Sequence, residues 1–240
     1  MKCKWCGRNT NLATDSEATV CDGCGLTWRA TACLIAVLDG LGYSGSTIGK
    51  DIAADLSRVG LGIGDDWRLA RCLYQIFRYT NTQLYSFPNL DLLNIPESAK
   101  GQFEFVVCSD VLEHVHPPMS RATDGLFELL KPGGFAVVTV PLTNESAAAE
   151  FYPDLQRYEE KDGIVTWVDK EGVERVDESP EFHGGEGLVL AFRIFSHDGL
   201  LVTLKDAGFT SVVSPQAVPQ INGHDADHNR YNVYIARKGL

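Results

Sequence analysis

Two short cysteine units open the chain. Cys3-Lys4-Trp5-Cys6-Gly7 and Cys21-Asp22-Gly23-Cys24-Gly25 are both C-x-x-C-G, at a spacing that lets two tight turns offer four thiolates to one tetrahedral zinc ion. Glycine after each second cysteine suits such turns, which need positive φ and N–H groups directed at sulfur. With Cys3, Cys6, Cys21 and Cys24 all engaged, no position stays open for water, so the expected zinc is structural; the competing reading is two local redox pairs. So short a segment cannot bury a core, and the metal would supply its folding energy. Cys33, Cys72 and Cys108 lie in apolar sequence and read as small buried hydrophobes. Further along, His114 and His183 carry the side chain suited to proton transfer near neutral pH. The competing readings are that Glu113-His114 caps the Pro117-Pro118 turn and that His183 is a turn histidine in Phe182-His183-Gly184-Gly185-Glu186-Gly187. His224, Asp225, Asp227 and His228 have metal-binding side chains, but their setting is ordinary loop composition.

The elements that must position these groups follow from apolar pattern and punctuation. Thr27 is placed to cap a helix over 28–38, glycines and serines at 40–46 end it, and 50–56 reads as a short second helix. Residues 59–64 read as a buried strand, with Asp65 or Asp66 capping a helix that runs to about Tyr79. A strand over 103–108 ends at Ser109-Asp110, a helix capped by Ser120 runs to Leu130, and the apolar run 135–140 suits a central parallel strand closed by Pro141. Ser196 caps a helix carrying Leu200, Leu201, Leu204 and Ala207, Gly208 ends it, and 209–213 and 231–236 read as two final strands. This alternation predicts an α/β fold of three layers, with its ligand crevice at the carboxyl ends of the strands, where Asp65, Asp110 and Pro141 fall. An insertion at about 143–192 holds a hairpin of 164–168 and 173–176. Its Tyr152, Tyr158 and Trp167 either pack that hairpin or line a pocket. The expected organisation is a small ribbon at 1–27 followed by one domain at 28–240.

Composition narrows the function. The 240 residues include 21 Lys and Arg against 32 Asp and Glu, a net charge of −11, and 44% are hydrophobic. That is ample for a packed core. No window concentrates basic residues, so a nucleic-acid partner is not expected. Nor is a membrane role: the longest apolar run, 33–38, is far too short to span a bilayer, and the N-terminal residues lack a signal peptide's apolar stretch. The expected location is the cytoplasm.

At Phe105-Val106-Val107-Cys108-Ser109-Asp110-Val111-Leu112-Glu113-His114-Val115, then Leu130-Lys131-Pro132-Gly133-Gly134 and Val138-Thr139-Val140-Pro141, the chain resembles a class I S-adenosylmethionine-dependent methyltransferase. Phe195-Ser196 and Gly208-Phe209 resemble the last helix and strand of that fold, so the resemblance covers roughly 60–240. Asp66-Trp67, Tyr79-Thr80-Asn81-Thr82, Leu90-Asp91 and Phe182-His183-Gly184-Gly185 are similar to a bacterial methyltransferase type 11-like subgroup, some members of which carry an N-terminal zinc ribbon. The fold so implied is a Rossmann-like methyltransferase sheet. The resemblance puts Ser109 and Asp110 beside the cofactor after a fourth strand and Asp91 near the adenine after a third.

It also makes Gly60 to Asp65 the second strand and its exit, with Gly62 where an acid normally holds the ribose and Asp65 or Asp66 as the substitute. The glycine loop of the first strand has no clear counterpart. One candidate is Gly40-Leu41-Gly42-Tyr43-Ser44-Gly45, which needs a strand before it where continuity from Thr27 favours a helix. The other is Gly60-x-Gly62-x-Gly64 doing the first strand's work, although its distance to Phe105 suits a second strand better. On this second reading Gly62 and Gly64 are cofactor-binding candidates. Methyl transfer is an in-line displacement that the protein serves by positioning an acceptor and removing its proton, which gives His114 and His183 their expected catalytic roles. The implied function is transfer of methyl from S-adenosylmethionine to a small-molecule or sugar-like acceptor, with structural zinc. The alternatives are a methyltransferase-like fold that serves as a binding module, its ribbon contacting a protein partner, and other chemistry in the same crevice.

Overall fold

Successive side chains of the central strands point to opposite faces of the sheet, both of them buried, and this builds the layers. A computed structural model describes residues 2–9, 19–43, 47–143, 149–183, 189–215 and 232–240. The helices are α1 (Trp28–Gly40), α2 (Trp67–Ile76), α3 (Met119–Leu129) and α4 (His197–Asp206). The strands are β1 (Asp55–Ile63), β2 (Phe77–Thr82), β3 (Phe103–Ser109), β4 (Leu130–Val140), β5 (Leu142–Thr143), β6 (Ala149–Glu150) and β7 (Leu155–Lys161). Then come β8 (Ile164–Asp169), β9 (Glu174–Asp177), β10 (Phe182–His183), β11 (Val189–Leu190), β12 (Arg193–Ser196), β13 (Phe209–Val213) and β14 (Asn232–Lys238). The main sheet has the order β13-β14-β4-β3-β1-β2, with β1 to β4 parallel and β14 antiparallel to both of its neighbours. On one face Phe105, Val107, Phe135 and Val137 meet α1 and α2; on the other Val106, Cys108, Ala136 and Val138 meet α3 and α4. This is the expected three-layer α/β architecture.

Three helix caps lie where the sequence puts them. Thr27 Oγ1 accepts from Ala30 N at 3.1 Å, Asp66 Oδ1 from Arg68 N at 2.7 Å and Ser196 Oγ from Gly199 N at 3.0 Å, each satisfying a backbone donor that the helix leaves unpaired. Other boundaries differ. Residues 50–56 are not a helix: a single 3-10 turn spans Gly49–Asp51, because Gly49 N and Lys50 N donate to the Lys4 and Trp5 carbonyls of the cysteine segment. The helix expected to reach Tyr79 stops at Ile76, and Phe77–Thr82 pairs with β1. Pro118, not Ser120, occupies the cap position of α3. The insertion adds β7 to the expected hairpin, giving the sheet β7-β8-β9.

Sheet order also corrects the strand assignment. The glycine strand 60–64 is β1, the first to enter the sheet, and β2 is the second. Between β2 and β3 the described residues form no strand: an isolated parallel bridge, Gln83 to Asn89, stands where a third strand was expected before Asp91, and a 3-10 turn follows at Glu97–Ala99. Gly60 pairs with Tyr79 on one side and Phe105 on the other. With no side chain at Gly60, those two rings stack across β1 at a centroid distance of 5.9 Å. A Cβ at Gly60 would overlap the Phe105 ring, so aromatic packing on this face demands glycine there.

The cysteine segment is joined to this architecture. Bridges Lys2–Asn9 and Val20–Thr27 close two equivalent turns, in which Gly7 and Gly25 take φ of 73° and 75° and donate to the carbonyls of Cys3 and Cys21. Cys3, Trp5, Cys21 and Leu26 are buried in the same apolar cluster as α1 and α2.

Candidate active site

Gly64 stands at the carboxyl end of β1 with φ of 67°, a conformation that glycine adopts without strain. Just after it, Asp65 is 5% exposed. Tyr79 Oη donates to Asp65 Oδ2, Asn81 Nδ2 donates to the Asp65 carbonyl at 3.0 Å, and Asp65 N donates to Asn81 Oδ1 at 3.1 Å. Asp65 Oδ1 is buried without a hydrogen-bond partner among the described residues. A Cβ at Gly62 would overlap Tyr79 Oη and Asp65 Oδ2, so the absent side chain is what admits this polar cradle. Burial pushes the Asp65 carboxyl up from its ordinary 3.8 to about 8, against the opposing hydrogen bond from Tyr79.

The shift has a consequence for stability. A folded-state pKa above the unfolded one means that the folded protein holds the extra proton between 3.8 and about 8. Stability from this group is therefore complete below the unfolded value and is lost as pH rises towards the folded one. The ligand-free protein is expected to melt at progressively lower temperature across that window, and Asp65→Asn to flatten the decline. Scanning calorimetry at a series of pH values checks this; an unchanged slope in the variant would contradict it.

The next carboxyl end, that of β3, carries Ser109 and Asp110. Asp110 has φ of 53°, a left-handed conformation that aspartate tolerates better than most residues. Thr139 Oγ1, on β4, donates to Asp110 Oδ1 at 2.8 Å and lies 2.8 Å from Ser109 Oγ, while Arg29 of α1 pairs with Asp110 Oδ2. Two cavities meet here. One, of about 530 Å³, is lined by Arg29, Gly64, Asp65, Asp66, Gln83 and Ser109. The other, of about 720 Å³, is lined by Gly64, Gln83, Asp91, Asp110, His114 and Tyr158 among others. Both fall within the range typical of small-ligand sites. The structure thus brings Gly64, Asp65, Asp91, Ser109, Asp110 and His114 to one crevice. Asp91 also caps its own turn, accepting from Leu93 N at 2.8 Å and from Asn94 Nδ2 at 2.6 Å.

His183 joins the site from the insertion. Its Nδ1 lies 3.1 Å from His114 Nε2, and the rings meet edge to face at 4.7 Å. His114 Nδ1 lies 2.9 Å from the Leu190 carbonyl and His183 Nε2 lies 3.4 Å from Glu181 Oε1. Glu113, 1% exposed, places Oε1 3.8 Å from His114 Nε2 and 3.7 Å from His183 Nδ1. Burial holds His114 below the ordinary imidazole value. The insertion is anchored beside the pair: Phe192 N donates to the Glu113 carbonyl, and Arg193 donates to Leu112 and Val115 carbonyls and to Glu150. Of the insertion's aromatics, Tyr158 lines the larger cavity, whereas Tyr152 and Trp167 pack the core of the insertion.

Among the cysteines, Cys3 and Cys24 Sγ stand 3.6 Å apart, Cys6 and Cys21 Sγ 3.7 Å, and all four lie within 4.8 Å of one another. A tetrahedron with zinc–sulfur bonds of about 2.3 Å has edges of ~3.8 Å, so the donor set fits that ion. Gly40 closes α1 and Gly42 sits in the following turn, so the glycines at 40–45 do not follow a strand, and Ser44 and Gly45 lie outside the described residues. The histidines and aspartates at 224–228 and the glycines after His183 also lie outside them.

Residues 7–214 match the family described as methyltransferase domain. The chain belongs to that family. The resemblance to class I S-adenosylmethionine-dependent methyltransferases is thereby borne out. No curated protein matches the sequence. Solved methyltransferase structures share the fold. One is a Burkholderia thailandensis 1,6-didemethyltoxoflavin-N1-methyltransferase with bound 1,6-didemethyltoxoflavin and S-adenosylhomocysteine, at 18% identity and TM-score 0.50, covering 89% of this chain and 79% of that one. The N-terminal domain of EvdMO1 with S-adenosylhomocysteine bound matches at 14% identity and TM-score 0.50, covering 88% of this methyltransferase and 81% of that chain. A Haemonchus contortus phospholethanolamine N-methyltransferase 2 matches at 10% identity and TM-score 0.51, covering 87% and 53%. No helix among the described residues of the methyltransferase is long and apolar enough to cross a membrane.

Sequence reasoning missed Arg29, Tyr79, Asn81 and Thr139 as members of the site. Arg29 and Thr139 carry no local signal, since one is a helix residue and the other lies within an apolar strand. Tyr79 and Asn81 stood in a quoted motif, but the misplaced end of α2 concealed that a strand sets them beside Asp65.

Proposed function

We propose that this methyltransferase binds S-adenosylmethionine across Gly64 and methylates a small-molecule or sugar-like acceptor in the larger cavity. The observation that carries the reading is Asp65 Oδ1, a buried oxygen with no partner among the described residues, in the wall of the smaller cavity next to Gly64, where the two cavities meet. When bound, the cofactor supplies a methyl group on a positively charged sulfur. On the smaller-cavity side Gly64 admits its amino-acid part, Gly62 leaves room for the cradle that holds Asp65, Asp65 accepts from the ammonium and Arg29 faces the carboxylate. On the other side Asp91, which retains lone pairs beyond those serving its turn, accepts from ribose hydroxyls. Ser109 and Asp110 flank the sulfur, their orientation held by Thr139. His114 and His183 stand on the acceptor side, where the acceptor's proton must be removed, and the apolar wall of the cavity excludes water. The net charge of −11 favours a cationic cofactor and disfavours a nucleic-acid acceptor.

Cys3, Cys6, Cys21 and Cys24 hold zinc as a closed, structural site, and the ribbon at 1–27 is an N-terminal unit that fixes the start of α1, and with it Arg29. The protein acts in the cytoplasm on this reading. Incubation with methyl-labelled S-adenosylmethionine and fractionated cell extract tests the acceptor class. Label is expected in the small-molecule fraction and is expected to be lost from it in His114→Ala; label confined to protein or nucleic acid, or no transfer from any fraction, would contradict the proposal.

A further inference from the structure

The imidazole pair and a buried carboxylate bring three ligand-type atoms together beside the larger cavity. A carbonyl only accepts, so His114 carries its proton on Nδ1, towards Leu190, and presents a lone pair at Nε2. In the tautomer of His183 that donates from Nε2 towards Glu181 Oε1 at 3.4 Å, Nδ1 presents a second lone pair. These two lone pairs face each other across 3.1 Å, and Oε1 of buried Glu113 completes a triangle with them at 3.8 and 3.7 Å. Three atoms so placed have the spacing of ligands around one cation. A proton would serve two of them; a metal ion serves all three.

We propose that Glu113, His114 and His183 form a divalent transition-metal site that binds and orients an oxygen atom of the acceptor. The donor atoms lie within 4.8 Å of one another. With metal–nitrogen bonds of about 2.1 Å, nitrogens at neighbouring positions stand roughly 3.0 to 3.4 Å apart, and the longer distances to Glu113 correspond to a wider angle of roughly 130°. The outward N–H of each ring is held by a carbonyl or a carboxylate, the arrangement that fixes the tautomer and orientation of metal-binding histidines. Two imidazoles and one carboxylate select an ion of the zinc, iron or cobalt kind over magnesium or calcium. Charge is also accommodated: Glu113 and Glu181 stand beside the site, and the neighbouring cation Arg193 is engaged with Glu150 and with the Leu112 and Val115 carbonyls.

Three protein ligands leave coordination positions open, and because His114 lines the larger cavity they face the acceptor. This rests on the proposed function and names its acceptor class, a hydroxyl-bearing molecule. The hydroxyl loses its proton to solvent on coordination; the oxygen then forms a C–O bond to the methyl carbon as the C–S bond breaks, its electron pair remaining on sulfur.

The test is zinc content of the full chain, stripped with chelator and reloaded with zinc alone. The wild type is expected to hold a second ion besides that of the cysteine site, His183→Ala and His114→Ala to lose that second ion alone, and Cys21→Ser to lose the other. Glu181→Gln, which keeps all three ligands and removes only the carboxylate behind His183, is expected to weaken the second ion on the order of tenfold. It decides the matter even if an alanine variant fails to fold. Equal zinc in wild type and His183→Ala, or no weakening in Glu181→Gln, overturns the site and leaves the imidazoles sharing a proton. S-adenosylhomocysteine titration of the same samples separates the two claims: binding without a second ion overturns only the metal site, and absence of binding overturns the proposed function.

Discussion

Gly62→Val is expected to remove cofactor binding, lowering affinity for S-adenosylhomocysteine on the order of a hundredfold, about 2.7 kcal/mol. A Cβ at this position would overlap Tyr79 Oη and Asp65 Oδ2 and stand 2.8 Å from Asn81 Oδ1. All three atoms belong to the cradle that holds Asp65 in place. Neither Tyr79 nor Asp65 has room to withdraw, since both are buried, and the Tyr79 ring is stacked on Phe105. The valine therefore expels the Asp65 carboxylate from its position or tilts the carboxyl end of β1, and either outcome spoils the junction of the two cavities. Calorimetric titration reads the affinity, and circular dichroism shows whether the sheet persists. A folded variant with wild-type affinity would remove Gly62 and Asp65 from the cofactor site.

Cys21→Ser is expected to release the zinc of the cysteine site and to lower the melting temperature by roughly 10 to 20 °C. Structural zinc contributes on the order of 10 kcal/mol to the folding of an isolated small site. A loss of about half of that shifts melting by this amount in a chain of this size. The effect should extend beyond the ribbon, because Cys3, Trp5, Cys21 and Leu26 share a core with α1 and α2, and Arg71 of α2 donates to the Cys24 carbonyl at 3.1 Å. The helix bearing Arg29 starts only four residues after Cys24 in the chain, so release of the metal should also weaken cofactor binding. Elemental analysis, calorimetry and titration of one preparation check the three effects together. A metal-free variant melting with the wild type would refute a structural ion.

The sequence was most legible where burial is complete. Residues 105–108 of β3 and 135–140 of β4 are almost wholly apolar because both of their faces are covered by helices, and these strands end just before Asp110 and Pro141 as expected. β2 was illegible because Ile76 of α2 is followed directly by Phe77 of the strand, with no glycine or proline to mark the change. That omission displaced the numbering of the sheet: with β2 unseen and only one bridge where a third strand was expected, the short distance from Gly60 to Phe105 suggested a second strand rather than a first. Gly62 and Gly64 thus lie at the end of the first strand, where the proposed function sets the glycine loop. In the site, Asp110 and Ser109 followed from the rule that sheets of this kind bind ligands at strand ends. The contact of His114 with His183 did not, because it depends on how the insertion folds back through Leu190, Phe192 and Arg193. Arg29 was equally hidden, since its partner Asp110 is remote in sequence and only packing of α1 on the sheet joins them.

The central claim is that the crevice around Gly64 holds the methyl-donor cofactor, and calorimetric titration of the full chain with S-adenosylhomocysteine tests it most directly. The account predicts binding of one molecule per chain, weakened at least tenfold by Asp110→Ala, which removes the partner of Arg29 and Thr139. Absence of binding at millimolar ligand, or wild-type affinity in Asp110→Ala, would contradict it.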